Sequence, residues 1–119
     1  MLRYKDRMSP HAEPSRRQTQ VAETIAHTAA DFFLRESNRR SLVTVTRADV
    51  SPDLKNVLIF LSVLPESAES DVLLFAKRNA VEFKEYLKKH ASMKFLPHVD
   101  FEIDYGEKNR QRIDDLTRS

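Results

Sequence analysis

The chain has 119 residues, the usual size of one domain with one core, and no cysteine, which excludes disulfides and thiolate metal sites. It carries 20 lysine and arginine against 18 aspartate and glutamate residues, so its net charge gives little evidence for nucleic-acid binding. The positions of the charges along the chain are more informative. The single glycine, Gly106, excludes glycine-rich phosphate loops and a GxxG nucleic-acid clamp. No apolar run approaches the roughly 20 residues of a membrane span, and the opening segment lacks a signal peptide's apolar stretch, so we expect a cytoplasmic protein.

The first predicted element is a helix that follows a disordered arm over residues 1–14, which shows no periodicity. Ser15 and Gln18 have the spacing of a capping box, in which each side chain bonds the backbone of the other. Behind them an apolar stripe recurs at helical spacing until about Ser37. Its members are Val21, Ala22, Ile25, Ala29, Phe32 and Phe33.

Two strands, over residues 42–49 and 56–64, are predicted to form a hairpin around the turn at residues 50–55. The second strand is apolar on nearly both faces, which is typical of the central strand of a small sheet. The first strand alternates between apolar and polar residues, as a half-covered neighbour does. Ser51, Pro52 and Asp53 supply the turn chemistry.

A second helix is predicted over residues 71–89, with Ser67 or Ser70 as its cap, followed by a third strand over residues 99–105. In that strand the following residues are expected to face the core: Val99, Phe101, Ile103 and Tyr105. The order is then α-β-β-α-β, and a right-handed crossover makes the second and third strands parallel. We therefore predict an α+β fold with a three-stranded mixed sheet and helices on one face. Residues 107–119 form a charged tail.

No active site is visible in the sequence. The four histidines are scattered and none has metal-ligand spacing. His98 and Asp100 are a conceivable acid–base pair, although strand-end residues of this kind are more often simply solvated. Asp100, Glu102 and Asp104 share one strand face and could hold a divalent ion, but a single strand supplies too little convergence, which favours a solvated acidic face.

A basic stripe on the second helix is more informative. Lys77, Lys84 and Lys88 share one flank, where Lys77 and Lys84 have no acidic residue three or four positions away. Two interpretations remain open, an ordinary exposed helix face and a surface for phosphates. The basic first turn of helix one, with Arg17, favours an anion. A further basic cluster is expected near strand one, with solvated surface charge as the alternative interpretation. It comprises Arg35, Arg39, Arg40 and Arg47. Exposed aromatic residues are scarce, which favours recognition of RNA backbone and shape over stacking on bases.

Several strings, in the same order and spacing, resemble the ribosome-binding factor A family over about residues 17–116. Thr46 with residues 50–54 resembles the family's Thr-x-x-x-Val-Ser-x-Asp-Leu pattern. Residues 97–104 resemble its Pro-x-Leu-x-Phe-x-x-Asp strand, and residues 112–116 resemble its closing Arg-Ile-x-x-Leu turn. Arg17 followed by Val21 matches the opening Arg-x-x-x-Val.

The resemblance implies a type II KH-like fold without the GxxG clamp, and a non-enzymatic factor without a cofactor. It also implies binding to the 30S subunit and 16S rRNA during late maturation, including processing of the 16S rRNA 5′ end. In the family the second helix is kinked at a small residue followed by glycine. These two positions correspond to Ala80 and Val81 here. Because the glycine is missing, the sequence leaves open whether this helix is kinked. Two family arginines correspond to Lys84 and Lys94, which keep the charge but lose bidentate geometry.

We therefore predict a monomeric RNA-binding assembly factor whose KH-like domain spans residues 15–106. The predicted phosphate contacts are Arg17, Lys77, Lys84, Lys88 and Lys94, with Arg39, Arg40 and Arg47 as further candidates. The alternative is a small protein–protein adaptor that uses the hairpin edge or the acidic third strand and does not touch RNA. A metal-dependent hydrolase built on the carboxylates of the third strand is a remote third possibility.

Overall fold

The computed structural model describes residues 13–36 and 41–106, and its elements follow the predicted order. These elements are α1 (Arg16–Glu36), β1 (Leu42–Val50), β2 (Asn56–Leu64), α2 (Glu69–Arg78), α3 (Ala80–His90) and β3 (His98–Ile103). Three expectations lie outside the described residues: the disordered arm up to residue 12, the closing string of the tail, and the positions of Arg39 and Arg40.

The sheet has the order β1-β2-β3, with β2 in the centre as predicted. The strands β1 and β2 are antiparallel, and β2 and β3 are parallel, which confirms the crossover. The register of β1 against β2 shifts between Val45 and Arg47, so Thr46 occupies a β-bulge. The mixed sheet therefore has the predicted topology, with one irregularity in its edge strand.

The helices pack on one face of the sheet and enclose a core rich in aromatic rings. The α1 helix packs against β1 and α3, while α2 packs against β2 and β3. The ring of Phe101 in β3 makes edge-on contacts with Phe33 of α1 and Phe83 of α3, at centroid distances of 5.7 and 5.8 Å. Phe32 continues this cluster at 5.4 Å from Phe83. One cluster of rings thus joins α1, α3 and the sheet.

The capping box predicted at the start of α1 is present. The Gln18 N–H donates to Ser15 Oγ at 3.1 Å, and the Ser15 N–H donates to Gln18 Oε1 at 2.8 Å. The buried Gln18 side chain also donates from Nε2 to the carbonyl of Val50 at 2.9 Å. This long-range bond places the first turn of α1 at the end of the sheet where the hairpin turns.

The hairpin turn is held by side-chain bonds of Ser51 and Asp53. The Ser51 hydroxyl donates to Asp53 Oδ1 at 2.6 Å and accepts the N–H of Asn56 at 3.0 Å. The N–H of Lys55 donates to the same Asp53 oxygen at 3.0 Å. The Ser51 hydroxyl first, and then the Lys55 N–H, lower the pKa of Asp53 below its ordinary value.

This lowered pKa predicts a pH-dependent contribution to stability. Because the folded-state pKa lies below the unfolded one, the ionised carboxylate stabilises the fold above about pH 4, and this contribution is lost as pH falls through the folded-state pKa. Asp53→Asn should therefore lower the urea midpoint at pH 6, and the gap to the wild type should narrow at pH 3. In a Ser51→Ala background, the pH-dependent part of the difference in urea midpoint should be smaller. A difference in midpoint that does not change with pH would contradict the lowered pKa of Asp53.

The second helix is not continuous, which corrects the single helix predicted over residues 71–89. It is interrupted at Asn79, whose φ of −102° and ψ of 18° are not helical, and it resumes at Ala80. The Asn79 Nδ2 donates to the carbonyl of Phe75 at 2.8 Å, the kind of local bond with which asparagine competes against a helix. The break thus falls one residue before Ala80 and Val81, the position at which the sequence left a kink open. The predicted serine caps are also wrong, because the residue before α2 is Ala68.

The third strand ends two residues earlier than predicted, and this reverses two side chains. Asp104, expected in the solvent, is only 7% exposed, whereas Tyr105, expected in the core, is 64% exposed. The Thr46 hydroxyl at the β-bulge donates to Asp104 Oδ2 at 2.6 Å, and its oxygen lies 3.3 Å from the carbonyl of Phe60. Asp104 turns inward because this partner, distant in sequence, compensates its burial.

Candidate nucleic-acid interface

The α3 part of the basic stripe lies on the flank that faces away from α1. Tyr86 marks the opposite flank, because its ring lies 5.6 Å from that of Phe32 in α1. Lys84 and Lys88 are each two residues from Tyr86, which turns them about 200° around the helix axis. Lys77 reaches Asp100 of β3, so the stripe follows the side of the β3 edge strand. That the lysines of α2 and α3 act together as one RNA-binding surface stays a prediction.

The lysines of this stripe differ in their partners. Lys77 Nζ lies 3.5 Å from Asp100 Oδ1, so Lys77 has an acidic partner that helix spacing does not reveal. Both side chains are about half exposed, and such pairs contribute little to stability. Within residues 13–36 and 41–106, neither Lys84 nor Lys88 forms an ion pair. These two lysines are the strongest candidates for a phosphate contact on the stripe.

Arg17 lies at the end of the sheet where the hairpin turns, in the exposed first turn of α1. That turn contains no acidic residue, so the positive end of the helix dipole and the arginine charge reinforce each other. The carbonyl of Lys55 in the hairpin turn accepts the N–H of His98 at 2.8 Å, which places the start of β3 at the same end. Arg17, Lys55 and His98 therefore share one end of the domain.

Lys94 lies in the loop at residues 91–97 between α3 and β3. Its side chain is exposed, and its Nζ lies 5.6 Å from the centre of the exposed Phe95 ring. Lys94 is four residues before His98, and a chain of that length spans at most about 14 Å. The loop thus leads from the basic stripe towards the end that carries Arg17. The sequence prediction included Lys94 and overlooked Phe95, although Phe95 belongs to none of the predicted apolar stripes.

Arg47 does not belong to this surface, and the basic cluster expected near strand one is not formed by its described members. Arg47 lies on the helix-free face of the sheet, where its guanidinium covers the ring of Phe60 at 4.1 Å and approaches Asp49 at 3.8 Å. Arg35 lies on the helix side, 5.7 Å from the ring of Tyr86. The sheet lies between Arg35 and Arg47, because Arg47 alternates along β1 with residues that face the core and the helices.

The carboxylates of β3 do not converge on a common point. Asp100 approaches Lys77, while Asp104 is buried against Thr46. Among residues 13–36 and 41–106, no three side chains of the types that bind metal ions come together. The arrangement therefore lends no support to the hydrolase alternative. No helix in the described part of the chain is long and apolar enough to cross a membrane.

The fold and the basic surface define a type II KH-like module that lacks the GxxG clamp. The family model for ribosome-binding factor A matches residues 17–117. The chain belongs to the ribosome-binding factor A family.

Relatives and solved structures agree with this assignment. Ribosome-binding factor A from Bradyrhizobium sp. (strain ORS 278) is 31% identical over 125 residues, covering 100% of this chain and 90% of that protein. The crystal structure of ribosome-binding factor A from Thermus thermophilus has the same fold, with a TM-score of 0.64 at 18% identity over 72% of this chain and 94% of that one. A Thermus thermophilus homology model fitted into a cryo-EM map of a 30S complex has a TM-score of 0.61 at 20% identity, covering 68% and 88% of the two chains.

Proposed function

We propose that this protein is a non-enzymatic ribosome assembly factor that binds the 30S subunit and 16S rRNA in the cytoplasm during late maturation, including processing of the 16S rRNA 5′ end. The observation that carries the proposal is the pair Lys84 and Lys88, which are aligned on α3 without an ion-pair partner among the described residues. Membership of the family and the fitted 30S complex of the Thermus relative support it.

In this proposal the unit formed by residues 15–106 binds rRNA mainly through its phosphates. Lysine is a compact charge without a planar fork, so these contacts tolerate variation in RNA geometry more readily than arginine contacts would. Binding releases counterions from the RNA, which makes the affinity strongly dependent on salt.

A binding protein without an active site acts on assembly by differential affinity. If the protein binds one conformation of 16S rRNA more tightly than another, it shifts the population towards that conformation. The proposal requires that the favoured conformation leave the 5′ end accessible to the enzymes that trim it. The protein therefore promotes processing without carrying out a chemical step.

Crosslinking in cell extract tests this function. The protein is crosslinked to RNA, purified under denaturing conditions, and the attached fragments are sequenced. We expect 16S rRNA fragments to be enriched among the crosslinked RNA. In a separate binding measurement, affinity for immature 30S subunits should fall steeply between roughly 50 and 200 mM salt, because phosphate contacts weaken over that range. Absence of 16S rRNA together with a salt-independent interaction would overturn the proposal in favour of the protein adaptor.

A further inference from the structure

Phe95 is an exception among the phenylalanines of this chain. There are seven, and six of them are buried or packed against the core. Phe95 is 79% exposed. A buried phenylalanine stabilises a fold through the hydrophobic effect, a contribution that this exposed ring does not make. Folding therefore does not explain an aromatic residue at this position.

The loop that carries Phe95 is anchored on both sides. Before it, the N–H of Ala91 donates to the carbonyl of Leu87 at 2.9 Å, and Met93 packs against the core. After it, Leu96 packs against the core and Pro97 is fully buried. Between these contacts Lys94 and Phe95 are exposed, so the ring lies on a loop whose backbone is held by packed residues on both sides.

The ring has a cation beside it, since Lys94 Nζ lies 5.6 Å from its centre. A flat apolar ring next to a lysine is suited to one nucleotide, because the base can stack on the ring while the ammonium group contacts a neighbouring phosphate. Proteins read RNA in this way where bases are unpaired, since bases within a duplex are already stacked on one another.

We propose that Phe95 is a stacking platform for an unpaired RNA base, and that Lys94 contacts a phosphate adjacent to it. This inference rests on the proposed function and identifies the kind of RNA that it requires, a helix that ends in a single strand. Lys84 and Lys88 follow the backbone of the paired region, and the loop after α3 receives the first unpaired base. Recognition then includes base stacking as well as the backbone and shape contacts predicted from the sequence.

A single-tryptophan variant provides a direct test, because the chain contains no tryptophan. Phe95→Trp should retain affinity, and its fluorescence should be quenched by an RNA hairpin with a single-stranded overhang but not by the same hairpin with a blunt end. Phe95→Leu keeps an apolar side chain but removes the flat ring. It should reduce affinity for the overhang RNA about tenfold and leave affinity for the blunt hairpin unchanged.

Leu34→Ala is the matched control, because Leu34 is 80% exposed on α1 and should not affect either RNA. Full retention of overhang binding by Phe95→Leu would overturn the stacking inference, because binding would then not depend on the flat ring. An equal loss on both RNAs would also overturn it. Failure of the proposed function would give a different result. In that case the wild-type protein would show no salt-dependent binding to either RNA.

Discussion

Replacing both Lys84 and Lys88 by glutamate is expected to reduce affinity for immature 30S subunits by on the order of tenfold or more at physiological salt. The two side chains lie on one flank of α3 without ion-pair partners among the described residues, so the change converts attraction for phosphate into repulsion. The slope of log affinity against log salt should decrease in magnitude by about one unit for each lost contact. Cosedimentation and a salt titration measure these two effects.

A matched control exists on the same helices. Arg78→Glu with Lys89→Glu changes the net charge by the same amount, and both residues are exposed. Each follows a lysine of the stripe by one position, which turns its side chain about 100° around the helix axis from that lysine. The control should retain most of the affinity, and both variants should keep the wild-type circular dichroism spectrum. Equal losses in the two variants would show that net charge, rather than the stripe, determines binding.

Phe101→Ala is expected to have the largest effect on stability. Phe101 has no exposed surface, and its ring contacts both Phe33 and Phe83, so truncation leaves a cavity where α1, α3 and the sheet meet. Such truncations cost about 3–5 kcal/mol, out of the roughly 5–15 kcal/mol that stabilise a typical domain. Urea unfolding should therefore show a midpoint shifted far downward.

The control for this prediction is Phe95→Ala, which removes the same ring from an exposed position. Its free energy of unfolding should stay within about 0.5 kcal/mol of the wild type. A comparable loss in both variants would mean that the loop ring supports the fold, which would also weaken the stacking inference.

Features that depend on residues close in the chain were predicted correctly. Ser15 and Gln18 form the capping box because both partners lie within one helical turn. The strand β2 begins at Asn56 and ends at Leu64 as predicted, since its apolar run is bounded by turn residues on both sides. These elements need no knowledge of the tertiary structure.

The errors concern contacts between distant residues. Asp104 was expected in the solvent because its neighbours alternate, but Thr46, 58 positions away, bonds it in the interior. Lys77 has no acidic residue within a helical turn, and its partner Asp100 comes from another element. Asn79 is a different case, because a poor helix former within a helical pattern was a signal in the sequence that could have predicted the break.

The candidate site was predicted in part. Lys84 and Lys88 share the expected flank, because helical spacing alone determines this. Arg47 was grouped with Arg35 by closeness to strand one, but strand alternation places it on the other face of the sheet, over Phe60. Phe95 was not predicted as a site residue, although it belongs to none of the predicted apolar stripes and the sequence therefore carried a signal of its exposure.

The β-bulge at Thr46 has a consequence for pairing between molecules at the edge of the sheet. Within the described part of the chain β1 is an edge strand, and edges with regular spacing of backbone groups can pair with another molecule and start aggregation. A bulge disrupts that spacing and increases the local twist, and the charged Arg47 follows directly after it. The other edge strand, β3, carries outward charges at Asp100 and Glu102, so strand addition is disfavoured at both edges of the sheet.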